Sequence, residues 1–183
     1  VGGIGLGIAM ISFIYSITNT TAAITLLCLA AMPFFTALLA FLFLKEKISL
    51  NVWISMLIAT VGIIIMAVGN TEKNSLIGFV FGLTSSIGFS IFSVTLRWRK
   101  ETPKFTTVAV AGLFCFITAT IMILVNKQPF FATSYNSAMF SLHGVLVCLG
   151  LILYSIGSKA IQAAELTLLS LTEVIGGIFW VWL

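Results

Sequence analysis

The chain has 183 residues, of which 60% are hydrophobic and 8% are charged, with a formal net charge of +4. Soluble globular domains carry about 25% charged residues, so this composition excludes a soluble protein. A mean hydropathy of +1.20 predicts an integral membrane protein, and the length then counts membrane crossings of about 20 residues each.

Seven apolar segments follow one another along the chain, separated by short polar connectors. Each segment is long enough to cross a hydrocarbon layer of about 30 Å as an α-helix. Their continuous apolar runs lack the two-residue alternation of membrane β-barrel strands. The sequence therefore predicts an all-α, polytopic transmembrane helix bundle. The predicted spans are residues 1–18, 22–44, 50–69, 75–96, 106–125, 139–158 and 163–183.

The nine Lys and Arg residues are divided unevenly between alternate connectors. One set of connectors holds seven of them, including Lys45, Arg97 and Lys159, and the other set holds two. The positive-inside rule predicts that the richer set is cytoplasmic. The basic segment around Trp98 fits the same rule together with an interfacial aromatic anchor, so no nucleic-acid partner is expected.

A segment near the start of the chain returns in looser form near its end. Tyr15-Ser16-Ile17 precedes an Ala pair and a Leu-rich span at 22–46, and Tyr154-Ser155-Ile156 precedes an Ala pair and a Leu-rich span at 163–183. The two spans are the second and the seventh, so they cross the membrane in opposite directions. Inverted repeats are typical of secondary transporters.

The repeat also predicts how the chain is divided. An offset of about 140 residues makes residues 1–69 the last three helices of a first repeat and residues 75–183 the first four helices of a second repeat. The sequence begins at Val1 without an initiator methionine. We therefore expect a fragment of a ten-helix protein, with two helices before residue 1 and one after residue 183.

Several motifs resemble a known family. Pro33-Phe34-Phe35-Thr36-Ala37 leading to Leu44-Lys45-Glu46, followed by Val61-Gly62-Ile63, is similar to the end of an EamA-type half in the drug/metabolite transporter (DMT) superfamily. The family usually has Gly where Lys45 stands. Glu173-Val174-Ile175 resembles its Glu-Pro-Val, with valine in place of proline. The resemblance implies a permease of a bacterial cytoplasmic membrane, with inverted repeats, alternating access and a central cavity.

Polar side chains inside the apolar spans are the candidates for a substrate site. A carboxylate at mid-bilayer costs about 3 kcal/mol or more unless it faces a partner or water. We expect Glu165 near the cytoplasmic end of its span and Glu173 near the midplane, where a structural hydrogen bond to a neighbouring Ser or Thr is an equal alternative. The candidate substrate-binding residues are Glu173, Tyr154, Tyr15, Thr84, Ser85 and Ser86.

The remaining unusual residues have simpler interpretations. Pro33 removes a helix hydrogen bond inside the second span, and it is a candidate hinge or a static packing feature. His143 is expected at the start of the sixth span and, as the single histidine, builds no metal site. The three cysteines lie in different spans and predict no disulfide framework. No cofactor is expected.

Three other classes of function compete with a carrier. A membrane-embedded enzyme is not expected, because the chain has no Asp, no HExxH motif and no nucleophile beside a histidine. A heptahelical receptor or retinal protein would not explain the internal repeat, and the last span has no lysine that could bind retinal. A channel stays open as an alternative. We expect a secondary transporter that exports small metabolites such as amino acids, with a proton or counter-solute as a candidate coupling partner.

Overall fold

The structure is a computed structural model that describes residues 1–46, 49–69, 75–98, 104–127, 129 and 133–182. These residues form helices, short turns and caps, and no strand occurs among them. Helices satisfy their own backbone hydrogen bonds, which a hydrocarbon environment requires. The elements are α1 (Gly2–Asn19), α2 (Ala22–Ala30), α3 (Met32–Leu39), a π-helical turn (Ala40–Leu44), α4 (Leu50–Gly69), α5 (Ser75–Trp98), α6 (Lys104–Val125), α7 (Ser134–Gly157) and α8 (Ala163–Trp182).

The prediction of an all-α transmembrane bundle is confirmed. Within the described part of the chain, five segments are long and apolar enough to cross a membrane, and they coincide with the predicted first, second, fourth, fifth and sixth spans. The helices α4 and α8 follow the third and seventh. The largest difference in a boundary is at α7, which begins at Ser134 and not at residue 139. Its first turn is polar and therefore gives no apolar signal in the sequence.

The centre of the bundle is the antiparallel pair of α1 and α5. Gly5 faces Gly88 near the middle of the contact, and a Cβ atom built on Gly88 would lie 2.6 Å from the Gly5 carbonyl oxygen. At the far end of α1, the Ser16 hydroxyl donates to the Gly78 carbonyl at 2.7 Å. Phe92 of α5 is fully buried beside this contact. Small residues allow this close backbone approach, as is usual between membrane helices.

The helix α8 packs antiparallel to the broken second span. Ala163, at the start of α8, shares a buried cluster with Ala40. One turn further along α8, Leu168 joins the cluster that contains Phe34, which lies earlier in the second span. The contacts therefore run in opposite directions along the two segments.

Three of the connectors that are rich in basic residues meet at one end of the bundle. The Arg97 Nε atom donates to the Glu46 carboxylate at 3.0 Å, and its Nη1 atom donates to the Lys159 carbonyl at 3.2 Å. The opposite end holds Thr20, which contacts Gly78 at the start of α5. The alternation inferred from the charges agrees with this arrangement, and the cytoplasmic location of the basic end stays a prediction.

The outer helices α6 and α7 present most of their apolar side chains to the surroundings. Their membrane-length windows are 11% and 6% buried, compared with 50% for α5. Phe116 of α6 and Phe140 of α7 are among the exposed side chains. An apolar exterior of this kind suits lipid, and it identifies a multi-pass membrane protein.

Candidate functional site

Tyr154 of α7 lies in an aromatic cluster on α5. Its ring centroid is 5.2 Å from that of Phe89 and 5.9 Å from that of Phe92, and its hydroxyl lies 2.7 Å from the Ser93 hydroxyl. Because a buried tyrosine hydroxyl needs a partner, Ser93 fixes the orientation of this ring. Ser93 itself is buried and also donates to the Phe89 carbonyl. The sequence did not single out Ser93, although it lies in the same serine-rich helix as the other candidates.

Tyr15 lies in a separate environment near the opposite end of the bundle. Its ring stacks on Phe81 with centroids 5.2 Å apart, and its hydroxyl donates to the Met122 sulfur at 3.3 Å. Phe81 and Phe89 are eight residues apart on α5, which is about 12 Å along the helix axis. The two tyrosines of the repeat therefore pack on the same helix at different depths. The structure does not bring them into one pocket.

Thr84, Ser85 and Ser86 point in three directions from α5, as neighbours on a helix must. Thr84 donates to the Val80 carbonyl of its own helix at 2.8 Å. Ser85 is buried and donates to the Ala9 carbonyl of α1 at 2.8 Å, and Ser86 is fully buried and donates to the Cys28 carbonyl of α2 at 2.6 Å. In this conformation the last two hydroxyls join α5 to α1 and to α2.

Pro33 lies directly after a break in the second span. The chain turns at Ala31, whose N–H bonds to the Cys28 carbonyl at 3.1 Å, and α3 begins at the next residue. Proline has no N–H to continue the ladder of hydrogen bonds, so the helix is interrupted here. Two hydroxyls of α5 bond on either side of the break, because Ser86 donates to the Cys28 carbonyl and Ser90 donates to the Met32 carbonyl at 3.0 Å.

Two glutamates of α8, Glu165 and Glu173, are the candidate carboxylates. Glu165 lies in the first turn of α8, is exposed and forms no ion pair with another described residue. A carboxylate at a helix N-terminus is stabilised by the helix dipole. The side chain of Glu173 lies outside the described residues, so its predicted role stays a prediction.

A cavity of about 440 Å³ opens between α1, α6 and α7. It is lined almost entirely by apolar residues, with Met10 from α1, Val108 from α6 and Leu151 from α7 among them. Leu151 also packs in the cluster that contains Tyr154, so the cavity begins one turn from that side chain. Several lining residues, including His143 and Cys148, are exposed, so the cavity is an open groove between the outer helices.

His143 contributes a polar side chain to this cavity. We expected it at the start of its helix, and this expectation was wrong, because α7 begins nine residues earlier at Ser134. His143 therefore lies about 13 Å along the helix axis and lines the cavity together with Cys148. The sequence did not predict His143 as a cavity residue, because the first turn of α7 is polar and the start of the helix was therefore predicted too late. Among the described residues, no group of three His, Cys, Asp or Glu side chains could hold a metal ion.

The fold and these sites define the class of the protein, which is a multi-pass helical membrane protein with polar side chains between its helices. Comparison with known proteins shows which family part of the chain is similar to. Residues 1–68 match the EamA-like transporter family. This match confirms the resemblance to an EamA-type permease of the DMT superfamily.

Curated relatives with transporter names cover more of the chain. An "Uncharacterized transporter" of Helicobacter pylori strain J99 is 28% identical over 130 residues, which is 71% of this chain and 44% of the relative. Another protein of the same name, from Clostridium kluyveri, is 24% identical over 162 residues, or 84% of this chain and 50% of the relative. The chain spans about half the length of the curated relatives it matches. No solved structure matches the chain at a significant level.

Proposed function

We propose that the protein is a secondary transporter that moves small metabolites, such as amino acids or related compounds, across a bacterial cytoplasmic membrane by alternating access, in the export direction. The observation that carries this proposal is the match of residues 1–68 to the EamA-like transporter family. The similarity to a family of transporters also supports a protein that is not an enzyme. A proton or counter-solute is the proposed coupling partner.

The proposed domain organisation has residues 1–69 in one repeat and residues 75–183 in the next. The family match ends at residue 68, beside the proposed boundary. The antiparallel packing of α8 on the broken second span supports an inverted relation between the two repeats. Alternating access then needs one repeat to move relative to the other, and the interrupted helix at Pro33 is the proposed hinge.

The proposed substrate path passes the polar and aromatic side chains between the helices. Tyr154 with Ser93, and the cavity that begins one turn away, supply an aromatic and largely apolar surface for the body of a metabolite. Glu173 is proposed to bind a cationic group or a proton, because an intramembrane carboxylate is stable only with such a partner or with water. Tyr15, Thr84, Ser85 and Ser86 are proposed to contact the substrate when the helices separate in another conformation.

The proposal is tested by efflux from cells that express the complete gene product. Cells are preloaded with a mixture of labelled amino acids, and the rate at which each one leaves is compared with that of cells carrying an empty vector. We expect faster efflux of at least one amino acid. Glu173→Gln should lower this rate by about tenfold or more, because it removes both a charge and a proton acceptor.

Glu165→Gln is the matched control, since it makes the same change on the same helix at an exposed position in the first turn. Its efflux rate should stay within about twofold of the unmodified protein, as surface charges contribute little. A Glu173→Gln protein that transports normally at every pH would exclude both proposed roles of that carboxylate. Efflux equal to the empty vector across amino acids and related metabolites would contradict the proposed substrate class.

A further inference from the structure

One guanidinium group connects three segments at the basic end of the bundle. Arg97 lies in the last turn of α5, and its Nε atom is 3.0 Å from the Glu46 Oε1 atom. Its Nη1 atom donates to the Lys159 carbonyl oxygen, 3.2 Å away, in the turn between α7 and α8. The side chains of Arg97 and Glu46 are 17% and 19% exposed. This is a partly buried ion pair, which is stronger than a fully solvated one.

The backbone on the Glu46 side is shaped to present the carboxylate to Arg97. The π-helical turn ends at Lys45, which has a φ of 54° in the left-handed region. The N–H groups of Lys45 and Glu46 both point to the Ala40 carbonyl, with the Glu46 nitrogen 3.4 Å from it. The helix therefore ends at Lys45, and the next residue, Glu46, lies against the end of α5.

The contacts of Arg97 close the space between α5 and the turn that joins α7 to α8. Val94, one turn before Arg97, is buried against Ala163 at the start of α8. Ser158, next to Lys159, is 3% exposed. The hydrogen bond between Tyr154 and Ser93 lies about one turn deeper. Separation of this end therefore requires the Arg97 contacts to break.

We propose that Glu46, Arg97 and the Lys159 carbonyl form a latch that holds the cytoplasmic end of the transporter closed, and that this latch breaks when the protein opens to the cytoplasm. The inference rests on the proposed function, because a latch regulates which end of an alternating-access carrier is open. A ligand or mutation that shifts this equilibrium acts by changing the relative free energies of the closed and open states.

A thiol placed under the latch reports whether it is closed. In the complete gene product, Cys28, Cys115 and Cys148 are replaced by alanine, and Ser158→Cys introduces a thiol at a buried position. A membrane-impermeant maleimide is added to inside-out membrane vesicles, which expose the predicted cytoplasmic end. Glu46→Gln and Glu46→Arg should each raise the labelling rate by about tenfold or more, because loss of the ion pair increases the open population.

The charge swap separates a latch from a general effect on folding. Glu46→Arg combined with Arg97→Glu restores opposite charges, and its labelling rate should fall well below that of Glu46→Arg alone. Lys159→Ala is the matched control, because it removes a neighbouring positive side chain but keeps the carbonyl that Arg97 binds. This variant should label at the rate of the parent. Each variant is also checked for monodisperse elution in size-exclusion chromatography.

Three results would overturn the latch. These are unchanged labelling in both Glu46 variants, labelling that increases only from the opposite side of the membrane, and a folded charge swap that labels as fast as Glu46→Arg. If the charge reversals do not fold, the neutral Glu46→Gln variant decides between a latch and no latch. Labelling and transport are measured separately. If the labelling rate changes with the latch variants but the protein transports nothing, the proposed function is contradicted and the latch is not. If the protein transports but the labelling rate is the same in all variants, the latch is contradicted and the proposed function is not.

Discussion

Lys45 has a left-handed backbone conformation that glycine adopts more easily than other residues do. The family that the sequence resembles usually has Gly at this position, and the structure places Lys45 at a φ of 54°, immediately after the π-helical turn. Glycine adopts this conformation without the steric penalty of a Cβ atom, which is about 1 kcal/mol or more for other residues. The departure from the family pattern therefore carries a conformational penalty.

Lys45→Gly is expected to raise the free energy of unfolding by roughly 0.5–1 kcal/mol, because the strain at the end of the π-helical turn is relieved. Lys45→Ala is the control, since it removes the same charge but keeps the Cβ atom. Thermal unfolding of both variants in detergent, followed by size-exclusion chromatography, measures the difference. A melting temperature for Lys45→Gly at or below that of Lys45→Ala would contradict the assigned strain.

The sequence predicted only in part which residues lie close together. Tyr15 and Tyr154 were selected as equivalent members of a repeat, and each does pack on phenylalanine side chains of α5. The sequence could not place them at different depths, because this depends on where α1 and α7 cross α5. The same limit applied to Ser85 and Ser86, whose hydroxyls bond to two different helices. Hydropathy identifies a span but does not distinguish between its faces when nearly all faces are apolar.

At the scale of the element, the helices themselves followed from the sequence because the apolar segments are long and the connectors are polar. The start of α7 and the interruption of the second span could not be predicted from hydropathy alone. Pro33 predicted a kink, and the structure gives a one-residue turn at Ala31, in right-handed helical dihedrals, with a second irregularity at the π-helical turn. Proline accounts for the first irregularity. The sequence contained no comparable signal for the second except the unusual Lys45.

The contact between α1 and α5 depends on glycine. A Cβ atom on Gly88 would meet the Gly5 carbonyl oxygen at 2.6 Å, and backbone atoms cannot move aside as a flexible side chain can. Gly88→Ala should therefore lower the free energy of unfolding by about 1–3 kcal/mol, as expected for overpacking. The measurement is thermal unfolding in detergent, compared with the unmodified protein.

Gly150→Ala is the matched control for this prediction. Gly150 lies inside α7, and a Cβ atom there would meet nothing within 4 Å. Alanine is the better helix former by about 1 kcal/mol, so this variant should be as stable as the parent or more stable. Equal destabilisation by the two substitutions would show that the α1–α5 crossing is looser than described.

The hydroxyls beside the break in the second span should restrict its motion. Ser86→Ala leaves the Cys28 carbonyl without its side-chain donor, and interhelical hydrogen bonds of this type contribute about 0.6 kcal/mol in membrane proteins. We expect faster hydrogen exchange at the backbone amides that follow Ala31, measured by mass spectrometry. Ser141→Ala, which removes a hydroxyl bonded within α7, should leave exchange in this segment unchanged. Equal exchange in the two variants would mean that Ser86 does not brace the break.

At the scale of the whole molecule, composition and charge gave the class of the protein, and the arrangement of the helices agrees with the alternation of basic connectors. The three connectors at Glu46, Arg97 and Lys159 meet at one end, although they are far apart in the sequence. The repeat and the family match together support the proposal of a carrier with two inverted halves. The substrate could not be derived in the same way, because nothing in hydropathy or repeat spacing encodes which polar groups face a bound metabolite.

Counterflow in proteoliposomes tests the carrier most directly. Vesicles that contain the complete gene product are loaded with an unlabelled metabolite identified by the efflux screen, and uptake of a trace of the labelled form is followed. An alternating-access transporter predicts saturable uptake that is stimulated by the internal solute and passes through a transient maximum. Ohmic current with flux that neither saturates nor responds to the internal solute would contradict the account and indicate a channel.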